Sequence, residues 1–502
     1  MKQENKLIAR NTLFLYMRIA VVMLITLYTS RMLLKALGVD DFGTYNVVGS
    51  IVMMFNSIKG LFVSSTQRFL NFELGKGDAE KLNTVFCSSI LIHILICIIF
   101  ILIIEPVGLW FVNYKMKIPD GNIGVANILL QLSIASSVFT IMAIPYDATL
   151  ITTQRMNVYA YLSVFDVFMK LGSAALLLVF AKNRLLIYGV LMLLTTIVYR
   201  SLSIRLCRKH DFCRFKWRTD KKLLKEMGKF AGWNFLGNMT FSVSNEGQNL
   251  LLNTTFGPAI NAARAIAYQV RNAFLQLTSN MTLAFRPRLT HLYAQDNKHE
   301  MTSLAISGMR FACFAEFCLI IPLYFYIPQV LDTWLTVVPN YSEDIIRCIF
   351  LYVLIKPIGS VNDSLFNASA KMKEYQCVTA AITFSSFLAM IVYLSIDKSV
   401  LASFWIYNIG AILNVLISSY LLCKKEIVED HLYVSGVVKL LLTCVCVALI
   451  NTFIYQWIRD FSTLSWVLNF VLLIILSALT IFLVGLNSKE RARIKGFITA
   501  KS

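Results

Sequence analysis

Residues 30–51 read SRMLLKALGVDDFGTYNVVGSI, and the parsing of this stretch decides the architecture. An apolar run ends around Arg31 and Leu37. Gly38, Asp40, Asp41 and Gly43 then form a turn, and Tyr45 opens a second apolar run. The stretch reads as a joint between two helices. Half a chain later, LLNTTFGPAINAARAIAYQV at 251–270 has the same layout, with Gly257 at the place of Gly38 and Ala262 at the place of Gly43. A helical joint that returns in this way points to two similarly built halves.

Composition says where those helices live. The 502 residues are 57% hydrophobic and 15% charged, with a mean hydropathy of +0.66. Long apolar runs of near-span length mark a polytopic helical membrane protein. Inside lipid the backbone must satisfy itself, so these runs are helices; they lack the alternation of a β-barrel. The reading is an all-α membrane protein of about 14 transmembrane helices. They fall near 12–33, 44–70, 85–105, 124–150, 157–180, 185–205, 229–253, 261–286, 304–327, 345–370, 375–396, 400–422, 434–457 and 464–486. This gives a six-helix lobe at 1–206, a basic linker at 207–228, a second six-helix lobe at 229–423, and two further helices with a basic tail at 424–502.

The net charge of +19 does not point to nucleic acid, because it follows the loops. With the N-terminus in the cytoplasm, the inner segments carry Lys2, Lys6 and Arg10, Lys76 and Lys81, the cluster RLCRKHDFCRFKWRTDKKLLKEMGK (205–229), Lys424 and Lys425, and Lys489 to Lys501. That is the positive-inside pattern, and it places both termini in the cytoplasm. The first apolar run is too long for a signal peptide and has no small-x-small cleavage site, so it is expected to stay as a helix. The 11 cysteines lie mostly in apolar runs and form no zinc-type CxxC pair. His210 and Cys213 are neighbours, but two ligands make no metal site.

Polar residues at membrane depth carry the functional signal. Asn11, Arg18 and Thr29 share one helical face. Gly49, Asn56, Gly60, Ser64, Gln67 and Asn71 make a small-and-polar stripe, with Lys59 beside it. Asn234, Asn238, Ser242, Asn245, Glu246, Asn249 and Asn253 cover one broad face. Asn261, Arg264, Tyr268, Arg271, Thr278 and Thr282 follow at near-heptad spacing. Asp147, Asp166, Lys170, Arg200, Glu316, Lys356 and Asp363 are further buried ionisable groups. Structural pairing is the alternative for each, and Asp166 with Lys170 at i,i+4 favours a local ion pair. The stripes fall on corresponding helices of the two halves, so they are expected to line a central cavity. Arg18, Lys59, Arg264 and Arg271 make that cavity cationic and suited to an anionic cargo. Asn245, Asn249 and Tyr268 join them as candidate substrate ligands. Glu246 and Asp147 are candidate ion-coupling acids. Pro145 and Pro357, in IPYDATLITTQRMNVYAY (144–161) and KPIGSVNDSLFNASAKMKEYQ (356–376), are candidate hinges, since each removes a backbone donor and is expected to bend its helix.

The segments LKALGVDDFGTYNVVGSI and PYDATLITTQRMNVYAYLSVFD resemble the signatures of the polysaccharide branch of the multidrug/oligosaccharidyl-lipid/polysaccharide exporter superfamily, the Wzx-type O-antigen and capsule flippases. The resemblance covers most of the chain and implies a MATE-like fold. It implies a flippase that moves an undecaprenyl-diphosphate-linked oligosaccharide across the bacterial inner membrane by alternating access. An ion gradient, Na+ or H+, would drive it, with no cofactor. It also implies that Arg18, Arg264 and Arg271 meet the diphosphate or an acidic sugar, and that polysaccharide polymerase machinery is a partner. Drug-exporting relatives use membrane carboxylates for cations, whereas the first span here has Arg18 and no acid, which disfavours the alternative of a drug or metabolite exporter. A glycosyltransferase, polymerase or ligase would need catalytic residues in a sizeable outer loop. The loops near 106–123 and 328–344 have neither a His nor a nucleophile–base pair.

Overall fold

The computed structural model describes residues 2–56, 59–119, 122–153, 156–180, 182–208, 211–216, 220–369, 371–461, 465–486 and 491, and the backbone alone at 2–20, 55–56, 59–61, 64, 156–157, 159, 211, 229–238, 284 and 460–461. Every regular element among them is helical. The chain divides into two compact units, Met1–Ile266 with Leu335–Asn340, and Ala267–Trp334 with Tyr341–Ser502. The first holds α1 (Lys2–Asn56), α2 (Lys59–Lys76), α3 (Ala79–Tyr114), α4 (Ile123–Met142), α5 (Ile144–Thr152), α6 (Met156–Leu177), α7 (Arg184–Cys207) and α8 (Lys221–Phe256). The division falls within α9 (Pro258–Ala294). The second unit continues with α10 (Lys298–Trp334), α11 (Ser342–Ala368), α12 (Met372–Ile396), α13 (Val400–Lys424), α14 (Asp430–Phe461) and α15 (Trp466–Thr480), which runs into one π-helical turn.

Ten segments among the described residues are long and apolar enough to cross a membrane. The described parts of α8 and α9 are long enough but too polar to count among them. These two carry the stripes read from the sequence, and α11 carries Lys356 and Asp363. Their polarity has to be met by other helices, because hydrocarbon offers no hydrogen bonds. Apolar side chains of other helices remain uncovered, such as Leu95, Ile98, Ile99 and Leu102 on α3 and Leu441, Leu442, Leu449 and Phe453 on α14. In water such surfaces would associate; in a bilayer they face acyl chains.

The joint at 30–51 is a backbone break inside α1. Gly38 has φ 77° and ψ 178°. Gly257, its counterpart between α8 and α9, has φ 90° and ψ −178°. Both lie in a region that is open essentially to glycine alone, because a Cβ would collide with the flanking peptide. Two sequence-matched glycines thus adopt one rare conformation. The pattern that suggested a repeat is written in the dihedrals as well as in the letters. Gly43 serves a second purpose: a Cβ there would land on the carbonyl of Pro258, so α1 and the start of α9 meet backbone to backbone.

Each unit has its own core. Val48, Ile51, Phe86, Phe100, Leu129, Leu130 and Leu150 pack together in the first. Met301, Met309, Phe314, Leu365, Phe366 and Tyr433 do so in the second. The chain breaks at Ala143 between α4 and α5, and Pro145 sits in the first turn of α5, where its missing N–H costs no helical bond. α11 runs through Pro357 as one helix, and the irregular backbone of the second unit lies in α10 at Tyr326, between Pro322 and Pro328.

The basic linker is stitched to the first unit. The Asn83 side-chain amide donates to the carbonyls of Phe212 and Arg214, both at 2.8 Å. Cys207 Sγ lies 3.3 Å from the Tyr146 carbonyl. Cys213 is buried, and burial pushes its thiol up to about 12, so it stays a protonated packing group. His210 lies outside the described residues.

Replacing Gly257 by valine should cost on the order of 1–3 kcal/mol, the strain of a side chain in this backbone region. Thermal unfolding in detergent checks this, and an unchanged midpoint would show that the joint relaxes freely.

Candidate functional site

Among the described residues, many of the polar groups read from the sequence fall at three places. The first lies around the Gly257 joint, within the first unit. Asn249 Nδ2 donates to Ser50 Oγ at 2.5 Å and reaches the Asn46 carbonyl at 3.4 Å, both on α1. Asn261 Nδ2 donates to the Asn249 carbonyl at 2.7 Å and to its Oδ1 at 2.8 Å, which ties α9 back onto α8. Asn253 embraces the backbone of Lys117: its Oδ1 accepts from Lys117 N–H at 2.9 Å, and its Nδ2 donates to the Lys117 carbonyl at 3.2 Å. Lys117 Nζ in turn donates to the Thr255 carbonyl at 2.6 Å, near the carbonyl end of α8. The amide face of α8 is therefore a fastening between α1, the loop after α3 and α9.

Arg264 and Glu246 belong to the same neighbourhood. Arg264 is buried; its terminal guanidinium nitrogen donates to the Asn245 carbonyl at 2.7 Å, and its Nε lies 3.4 Å from Gln248 Oε1. Asn245 Nδ2 donates to Glu246 Oε1 at 2.8 Å. Of the residues expected at the site, Asn245, Glu246, Asn249 and Arg264 thus form one cluster. Gln248, fully buried beside Arg264, was not read from the sequence, although its amide lies among the asparagines that were.

The second place is in the second unit, along α9 and α11. The guanidinium of Arg271 stacks on the Tyr268 ring at 3.7 Å and lies 5.8 Å from the Tyr352 ring. Its Nε is buried with no hydrogen-bond partner. Lys356 lies within Coulomb reach of Tyr352, Arg271 and Asp363. Asp363 accepts from the Tyr375 hydroxyl, and Tyr375 stacks on Phe366 at 4.3 Å. Further along α9, Arg286 Nε donates to Ser364 Oγ at 3.2 Å. Tyr268 and Arg271, three residues apart, share a helical face, as do Tyr352 and Lys356, four apart. Tyr352 was legible by the same rule but was masked by the apolar residues around it.

The third place joins α5 and α7. Arg200 meets Asp147 at 3.1 Å with both side chains buried, and its guanidinium lies 4.6 Å from the Tyr199 ring. The expected pair of Asp166 and Lys170 forms at 2.7 Å on the surface of α6. Arg18 and Lys59 lie outside the residues whose side chains are described.

These features define a multi-pass membrane protein with polar helices sequestered inside helical units. Residues 32–338 match the family described as "Polysaccharide biosynthesis protein", and the chain belongs to that family. The uncharacterized membrane protein EpsK of Bacillus subtilis (strain 168) is 19% identical over 294 residues, 57% of this chain and 57% of that protein. The chain therefore aligns with little more than half the length of this relative. The fold is similar to that of the lipid II flippase MurJ in an inward closed conformation, with a TM-score of 0.70 at 14% identity over 93% of this chain and 97% of that one. An inward-facing multidrug resistance MATE family transporter of the MOP superfamily gives a TM-score of 0.65 at 15% identity, covering 82% and 97%. These likenesses establish a MATE-like, all-α transporter fold.

Breaking a buried ion pair on one side strands the other charge. Asp147→Asn should therefore destabilise the protein by about 3–5 kcal/mol, whereas replacing Asp147 and Arg200 together by apolar residues should cost much less. Detergent unfolding curves of the single and double variants measure the difference.

Proposed function

We propose that this chain is a flippase that carries an undecaprenyl-diphosphate-linked oligosaccharide, an O-antigen, capsule or related repeat unit, across the bacterial inner membrane by alternating access. Membership of a polysaccharide biosynthesis family gives the setting. The flippase and transporter structures with which the fold aligns give the means.

The observation that carries the reading is Arg271. Its charge is held against the tyrosine face of Tyr268, its Nε is buried and unbonded, and no carboxylate among the described residues makes a hydrogen bond or ion pair with it. A guanidinium so placed has capacity for an external acceptor. Its planar fork matches phosphate and carboxylate geometry. Lys356 adds a second cation nearby. Arg18, Lys59 and Arg264 extend this cationic character as proposed ligands. Arg264, already bonded to the α8 backbone, would first have to exchange those bonds for the cargo's oxygens. Glu246 and Asp147 remain proposed ion-coupling acids, and Pro145 and Pro357 proposed hinges. The loop charges support a topology with both termini in the cytoplasm.

In a strain that depends on this chain for surface polysaccharide, Arg18→Ala, Arg264→Ala and Arg271→Ala should each abolish export while the protein still inserts at its normal level. Normal export by all three would sink the cationic site. Intact cells should also protect a cysteine at the 205–229 loop, in a cysteine-free background, from an impermeant thiol reagent; labelling there would reverse the topology.

A further inference from the structure

Glu316 lies on α10 and is 0% exposed. One of its carboxyl oxygens is bonded to the Thr278 hydroxyl of α9, and the other, Oε2, is buried with no partner. The titratable group beside it on its own helix is Cys313, which is in turn close to Cys444 of α14. Among the described residues of α9, α11, α14 and α15, no lysine, arginine or histidine pairs with Glu316 or acts on it electrostatically. Asp147, by contrast, has Arg200, and Asp363 has Lys356 within Coulomb reach. An ionised carboxylate with neither counter-charge nor water is far too costly to persist, and such a group takes up a proton instead.

Position gives this acid a use. Thr278 lies seven residues from Arg271, two turns along the same face of α9. Its partner Glu316 therefore fastens to α10 the helix that presents Tyr268 and Arg271. A second hydroxyl, Thr282 Oγ1, donates to the Thr278 carbonyl at 2.9 Å, so the polar stripe continues past the carboxyl.

We propose that Glu316 is a proton-binding site that couples protonation to the packing of α9 on α10. In the structure described, the carboxyl is the neutral acid, and Thr278 bonds to it. Loss of its proton to water leaves a carboxylate that has to be hydrated. Hydration separates Glu316 from Thr278 and frees α9 to move with Arg271. Rebinding a proton from the aqueous phase restores the contact. This assigns the proton as the driving ion of the transport proposed above and rests on that reading for its role, though not for its chemistry.

The test is labelling by dicyclohexylcarbodiimide, which reacts with protonated membrane carboxyls, of the full chain in native membranes without added cargo. The adduct is located by mass spectrometry. The expected result is modification of Glu316 that is indifferent to sodium and, above the titration point, falls about tenfold per pH unit. It should be absent in Glu316→Gln. No adduct at Glu316, or an adduct that sodium suppresses at constant pH, overturns the proton assignment. Because no glycan is involved, this outcome is separable from failure of the flippase reading. Glu316→Gln preserves shape and hydrogen bonding. It should insert and unfold like the parent, yet lower surface polysaccharide at least tenfold; undiminished export would overturn the coupling role.

Discussion

A side-chain amide in hydrocarbon has no water to bond, and most of this architecture can be understood as an answer to that constraint. The asparagines of α8 reach the backbone and hydroxyls of α1, the backbone of Lys117 and the side chain of Asn261. Each such bond is worth only about 1 kcal/mol net, but leaving one unmade costs as much or more. The bonds therefore determine which helices must be neighbours more than how firmly they are held. The same reasoning covers the ion pair of Asp147 with Arg200, in which two costly charges share one site.

In both units most of the buried polar residues find partners within the chain. Around Gly257 they bind protein to protein, and the structure accounts for the main polar groups of Asn249, Asn253 and Arg264 within the chain itself. In the second unit, Arg271 of α9 lies against the Tyr268 ring and Glu316 of α10 bonds Thr278, and each keeps one buried atom unbonded, as Asn261 does with its Oδ1 beside Gly257. Unspent bonding capacity in a buried place is what a ligand requires.

Much of this was legible in the letters. Hydropathy marked the helices, and the spacing of Gly38 and Gly257 revealed the joint that the dihedrals then displayed. Helical phase found both stripes. Phase says which residues share a face, but not which helix that face meets. Asn249 looked like a cavity lining for that reason, and it bonds Ser50. α11 continues through Pro357, and the break in the first unit falls at Ala143, ahead of Pro145. A proline's effect depends on whether its lost donor was needed, which tertiary context decides. Tyr352 and Gln248 escaped because aromatic rings and lone amides carry no signature of their own partners.

The polarity of α8 and α9 has a consequence for biogenesis. A segment of this kind partitions weakly into lipid when it leaves the insertion machinery alone. Asn249 gains its bonds only once Ser50 and Asn46 are already in place. Synthesis order provides for this, since α1 is made long before α8. The early helix is then a template on which the late, reluctant one is accepted, and integration into the bilayer becomes part of tertiary folding rather than a step that precedes it.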